Sequence, residues 1–157
     1  VNEDVHVSVI GAGRCDDAVR ATARELGALI AARGWTLVCG GLSGVMEAAA
    51  QGAREAGGHT VGILPGADRR GANPYIETAL ATGIGQMRNA LVVQNGDVVI
   101  AVEGGYGTLS EIALALKSGR AVVALGAWKN IPGVVPATSP AQAVELAARI
   151  LAGEPNN

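Results

Sequence analysis

One glycine-rich run and three side chains stand out in this sequence as able to do chemistry together. The run Gly104-Gly105-Tyr106-Gly107-Thr108 offers a backbone almost bare of Cβ atoms, ending in a hydroxyl, at the expected start of a helix. Free N–H groups at the positive end of a helix attract anions, and glycine lets a phosphate approach them. Glu111 follows Thr108 by three residues and Gly107 by four, so its carboxylate shares a helix face with the hydroxyl. Arg88 lies in a glycine-bounded helical segment, residues 85–94, leading into the strand that ends at this run; its guanidinium can clamp a phosphate or a developing anion. Simpler roles compete: Glu111 as a carboxylate stabilising a helix N-terminus, Arg88 as half of a surface ion pair.

Two further glycine turns have the same character. Gly11-Ala12-Gly13 follows the first expected strand, and Gly40-Gly41-Leu42-Ser43-Gly44 follows the second. Ligands of α/β sheets bind where strands end and helices begin, although tight turns also use glycine simply for a positive φ. A ligand with several phosphates, or a phosphate and a sugar, suits three such turns. Familiar nucleotide signatures are absent. The first turn lacks the third glycine of the dinucleotide fingerprint, the second strand ends without an acid for a ribose hydroxyl, and no Gly-x4-Gly-Lys-Ser/Thr occurs. Backbone, rather than lysine, is expected to hold the phosphate.

The elements that must position these residues alternate between short β-rich runs and longer helical patterns, the mark of repeated βαβ units. Strands are expected at residues 5–10, 36–39, 59–64, 98–102 and 121–125, with a weaker one at either 76–79 or 134–135. Several are continuous apolar runs, as in a sheet covered on both faces. Val19, Ala23, Leu26 and Ile30 share one helical face; Leu109, Ile112, Ala113 and Leu116 share another. Ser139 and Gln142 form a capping-box pair around Pro140, and Gly153 ends that last helix. Residues 65–74 read as a polar surface loop. The expected fold class is α/β: a three-layer Rossmann-like fold with a mainly parallel sheet flanked by helices, in a single domain spanning 1–157.

Composition bounds the function. The 157 residues include 23 glycines, 49% apolar residues, 3% aromatics and no phenylalanine, with a net charge of −2. Glycine at about twice its usual ~7% share, beside so many apolar residues, excludes a disordered linker or a collagen repeat. Without basic clusters beyond Arg69-Arg70, no nucleic acid and no anionic membrane surface is expected as partner. No run suits a bilayer span and residues 1–4 have no signal character, so a cytoplasmic location is expected. Cys15 and Cys39 lack metal spacing, and no metal site is expected. His6 and His59 read as structural, Asp97 as a strand-start turn residue, and Trp35 and Trp128 as packing side chains.

Gly40 to Met46, Met87-Arg88, and Glu103-Gly-Gly-Tyr-Gly-Thr-Leu-Ser-Glu111 together resemble the LOG-like superfamily, long labelled as lysine decarboxylases. Within it the sequence looks most like the short branch that includes molybdenum-cofactor carrier proteins. The resemblance implies a homodimer of Rossmann-like subunits holding a nucleotide monophosphate or cofactor phosphate on the Gly-Gly-Tyr-Gly-Thr loop. It also implies ligand contacts at Gly11, Gly13, Gly40, Gly41, Ser43, Gly44, Met87, Gly104, Gly105, Tyr106, Gly107 and Thr108. In the cytokinin-activating members, residues matching Arg88 and Glu111 assist cleavage of the bond between base and ribose 5′-phosphate, and these two are the candidate catalytic residues here. The sequence departs from those enzymes at Glu103, where they have proline, and at Asn89, where they have lysine. Glu103 suggests a carboxylate that accepts a pair of N–H groups from a guanine-like or pterin edge. The decarboxylase label fits poorly, since a pyridoxal-phosphate enzyme needs a Schiff-base lysine and only Lys117 and Lys129 are available. The expected function is a binding protein for a phosphorylated nucleotide-type ligand, with AMP, another nucleotide or the molybdenum cofactor as the bound group and no other cofactor required. The alternatives are a nucleoside 5′-monophosphate phosphoribohydrolase and a nucleotide sensor.

Overall fold

In a computed structural model that describes residues 4–155, seven strands form a single, wholly parallel sheet. The chain runs β1 His6–Gly11, α1 Asp17–Ala32, β2 Thr36–Cys39, α2 Val45–Glu55, β3 Thr60–Leu64, β4 Thr78–Ala81, α3 Asn89–Gln94, β5 Val98–Val102, α4 Tyr106–Lys117, β6 Val122–Leu125, β7 Val134–Ala137 and α5 Pro140–Leu151. The spatial order is β4-β3-β2-β1-β5-β6-β7. Residues 1–3 and 156–157, the ends of the expected domain and most of the segment read for signal character, lie outside the described residues.

Alternation along each strand builds the layers, because successive side chains point to opposite faces. Val7 and Val9 of β1, with Val98, Ile100 and Val102 of β5, pack under α1, α2 and α5, among Leu26, Ile30, Ala49 and Val144. Ile10, Val99 and Ala101 face the other way, onto Val92 and Val93 of α3 and Ile112 and Ala115 of α4. Burial on both faces explains the unbroken apolar runs. Both weak segments form strands, at the two edges of the sheet: the pairs Val61 with Thr78 and Val122 with Val134 supply partners that local sequence does not reveal.

Two helical details differ from expectation. The buried face of α4 is Thr108, Glu111, Ile112 and Ala115, while Ala113 is exposed. The helix turns Thr108 and Glu111 inward because they line a cleft, not because they pack. At α5, Ser139 Oγ accepts from Gln142 N at 3.1 Å as a capping box requires. The reciprocal bond runs one residue early, from Thr138 N to Gln142 Oε1 at 2.6 Å. The 65–74 segment is an exposed loop with a 3₁₀ turn at Arg69–Gly71, where Asp68 pairs with Arg70 at 2.7 Å; only Asn73 is buried, donating to Leu42 O at 2.8 Å.

Candidate functional site

From β1 the chain builds outward through β2, β3 and β4; from β5 it builds the other way through β6 and β7. The connections therefore diverge between β1 and β5, and such a switch point leaves a crevice at the strands' carboxyl ends. Gly11 is paired there with Val102, so closely that a Cβ on Gly11 would lie 2.3 Å from Val102 O. A cleft of about 200 Å³ opens at this point, lined by Val9 to Gly13, Gly40, Met46, Arg88, Asn89, Gly105, Gly107, Thr108 and Glu111.

The three glycine turns contribute differently. Gly13, Gly105 and Gly107 would place a Cβ in open space, so each presents bare backbone. Gly41 (φ 75°) and Gly44 (φ 71°) lie outside the lining: a Cβ on Gly41 would strike Leu64, and one on Gly44 would strike Ala12 O at 2.2 Å. Ser43 Oγ donates to Gly13 O at 2.8 Å and Val45 N donates to Ala12 O at 2.9 Å. The second turn thus clamps the first, and Ser43 acts through Gly13. Gly104 (φ 111°) packs against Thr108. Met87 (77% exposed) and Tyr106 (85% exposed) stand on the rim, beside lining residues but not among them.

Capping separates the helices near the cleft from the others. The side chain of Asp16 caps α1, accepting from Val19 N at 2.8 Å, and Ser139 caps α5. No side chain caps α2 or α4, whose N-caps are Gly44 and Gly105. The first N–H groups of a helix need partners from outside it, and at α4 they open onto the cleft through Gly107 and Thr108. The Gly11-Ala12-Gly13 turn does not open a helix directly, since Arg14, Cys15 and Asp16 intervene before α1.

Arg88 ends a 3₁₀ turn, Gly85–Arg88, and is 7% exposed. Its Nε donates to Ile63 O at 3.0 Å and its Nη1 to Asn89 Oδ1. Nη2 lies beside Gly40, where a Cβ would sit 2.9 Å from it. None of the ion pairs among the described residues includes Arg88. Burial pulls its pKa below the usual guanidinium value, while the charge of Glu111 works the other way. Burial pushes the Glu111 carboxyl up to about 7 against the opposing pull of Arg88. The site therefore pairs a fixed cation with an acid poised to change protonation near neutral pH. Cys39, close by, is raised to about 11 by burial, so its thiol stays protonated and inert.

One sequence expectation is corrected. Glu103 does not line the cleft: its Oε2 accepts from Ala127 N at 3.0 Å, and the side chain faces a separate cleft of about 280 Å³ beside Lys129. Trp128 packs against the core as expected, and its Nε1 also donates to Gly104 O at 3.0 Å. Both depend on the turn after β6, which no local motif ties to the glycine run. Asn89 and Met46 line the cleft without having been singled out as ligand contacts. Lys117 ends α4, and neither lysine lines the cleft. His6 and His59 bond Asn95 O and Glu77, His59 from an exposed position. Among the described residues no His, Cys, Asp and Glu cluster could hold a metal, and no helix is long and apolar enough to cross a membrane.

Several known proteins are similar to this chain. An uncharacterized protein of Archaeoglobus fulgidus is 44% identical over 140 residues, 89% of this chain and 92% of its own length. The molybdenum cofactor binding protein of the phototrophic bacterium Rippkaea orientalis has a TM-score of 0.91 at 38% identity, covering 96% of this chain and 99% of that one. The cytokinin riboside 5′-monophosphate phosphoribohydrolase of Mycobacterium tuberculosis is 35% identical over 121 residues, 71% of this chain, and the match takes in 65% of that enzyme's length. Residues 4–150 match the family described as SLOG cluster4. With that match running through all seven strands and into the last turn of α5, the chain belongs to the SLOG cluster4 family.

Proposed function

We propose that this protein binds a phosphorylated, nucleotide-type small molecule in the β1–β5 crevice, with the molybdenum cofactor, a phosphorylated pterin, as its cargo. The observation that carries this reading is the chemistry of the crevice floor: bare backbone at Gly13, Gly105 and Gly107, the uncapped start of α4, and an arginine without a carboxylate partner. That donor set fits a phosphate. A cleft of about 200 Å³ is smaller than the ~300–1,000 Å³ usual for an enclosed ligand. It therefore suits a phosphate and its nearest atoms, with the ring system resting on the rim at Met87 and Tyr106. Similarity to the Rippkaea orientalis protein over nearly the whole of both chains supports cargo binding more strongly than the partial match to the mycobacterial enzyme supports hydrolysis.

One observation favours a second reading. A carboxyl held near neutral pH beside a buried arginine is suited to general acid–base work at a glycosidic bond. In that reading the protein is a nucleoside 5′-monophosphate phosphoribohydrolase, with Glu111 and Arg88 at the reacting atoms.

The readings separate on incubation with AMP, GMP and molybdenum cofactor released from a molybdoenzyme, following binding, free base and ribose 5-phosphate. Cargo binding gives pterin fluorescence co-eluting with the protein and no free base. Turnover abolished by Glu111→Ala would sink it in favour of hydrolysis. Gly107→Asp tests the phosphate cradle. An added Cβ meets nothing within 4 Å and a negative charge suits a helix start, so stability should hold or rise, while affinity for AMP falls at least about tenfold.

A further inference from the structure

We infer that Glu103 and Trp128 are positioning residues that hold the Gly104–Thr108 loop in its ligand-receiving shape, with the turn after β6 as their brace. This rests on the reading that the loop receives a phosphate.

Among the described residues only two that are not glycine have positive φ: Glu103 at 50° and Trp128 at 67°. They lie on neighbouring turns, after β5 and after β6, and both reach across. Glu103 N donates to Leu125 O at 3.0 Å, Ala127 N to Glu103 Oε2 at 3.0 Å, and Trp128 Nε1 to Gly104 O at 3.0 Å. Gly126 makes room for the carboxylate, since a Cβ there would fall 1.7 Å from Glu103 Oε1. Left-handed backbone at non-glycine residues persists only where its surroundings impose it, and it gathers at functional sites.

The bond to Gly104 O reaches the cleft through one rigid unit. The peptide joining Gly104 to Gly105 is planar and trans, so fixing its carbonyl fixes the Gly105 N–H on the opposite side. Gly105 lines the cleft and caps α4, so the indole donor sets the direction of an amide at the mouth of the phosphate cradle. Glu103 holds the preceding residue through Ala127. Loops held in their bound shape before the ligand arrives lose less freedom on binding.

Trp128→Phe keeps the ring and removes the donor. Glu103→Ala removes the acceptor, and Glu103→Gln restores an amide oxygen to Ala127 N–H. With AMP as probe, Trp128→Phe and Glu103→Ala should each lose about tenfold in affinity, and Glu103→Gln should bind like the wild type. Wild-type affinity in the first two, or a Gln variant as weak as the Ala variant, would overturn the proposal. A second readout needs no ligand. In Trp128→Phe the backbone N–H order parameters of Gly105 and Gly107 should fall from about 0.85 towards about 0.6, with those of β1 and β5 unchanged. Unchanged values, or a fall spread over the whole sheet, would also overturn it. If the wild type binds neither AMP nor molybdenum cofactor but the loop loosens in Trp128→Phe, the brace stands and the phosphate reading fails.

Discussion

Glu111 and Arg88 show how burial changes what a residue can do. In the open a glutamate would be charged and an arginine solvated; here Glu111 is 9% exposed, and its carboxyl is raised from an ordinary 4.5 to about 7 by loss of water. Since the folded state holds this proton more tightly than the unfolded chain, the stability it contributes is fully present below about 4.5 and lost as pH rises through about 7. Glu111→Gln should remove that component. The melting temperature of the variant, relative to wild type, is therefore expected to climb between about pH 5 and about pH 8. The same substitution should flatten that part of the pH dependence of AMP binding which the phosphate's own titration does not explain. Spacing alone made the carboxylate, the guanidinium and the glycine loop legible. It could not give their burial, which depends on the β3 carbonyl of Ile63 and the turn at Gly40 closing around Arg88.

At the scale of elements, the three helices without a side-chain cap, α2, α3 and α4, bring Met46, Asn89 and Gly107 to the crevice, and the capped α1 and α5 bring no lining residue. Asp16→Ala should cost about 1 kcal/mol of stability through α1 and leave AMP affinity unchanged, as paired thermal and binding titrations would show. The glycine excess also has a second cause, hidden from sequence. α1 and α2 meet backbone to backbone, and a Cβ on Gly52 would lie 1.8 Å from Arg24 O, as one on Gly27 would lie 1.9 Å from Ala49 O. Alanine is the better helix former by about 1 kcal/mol, but overpacking against backbone costs about 1–3 kcal/mol. Gly52→Ala should therefore lower the melting temperature, and a rise would refute the packing account. Periodicity located α1 without showing which glycine belongs to a turn and which to a helix contact, because contact depends on the crossing partner.

At the scale of the molecule, the order of strands makes the site. Gly11 stands at the divergence of β1 and β5, and Gly11→Val should disrupt strand pairing and ligand binding together, measured as loss of cooperative melting. The homodimer implied by family resemblance is expected to sediment at about twice the 15.7 kDa chain mass. Sequence alone determined the α/β alternation, the five clearest strands and the glycine run with Glu111 and Arg88, since these rest on local periodicity and spacing. Only the tertiary structure decided that both edge segments are strands, that Ser43 and Gly44 pack onto the first glycine turn while Gly41 packs on Leu64, and that Glu103 turns from the cleft to brace it with Trp128. The physical reason is common to all of them: each depends on a hydrogen bond or close approach between residues far apart in the chain, and only folding brings these together.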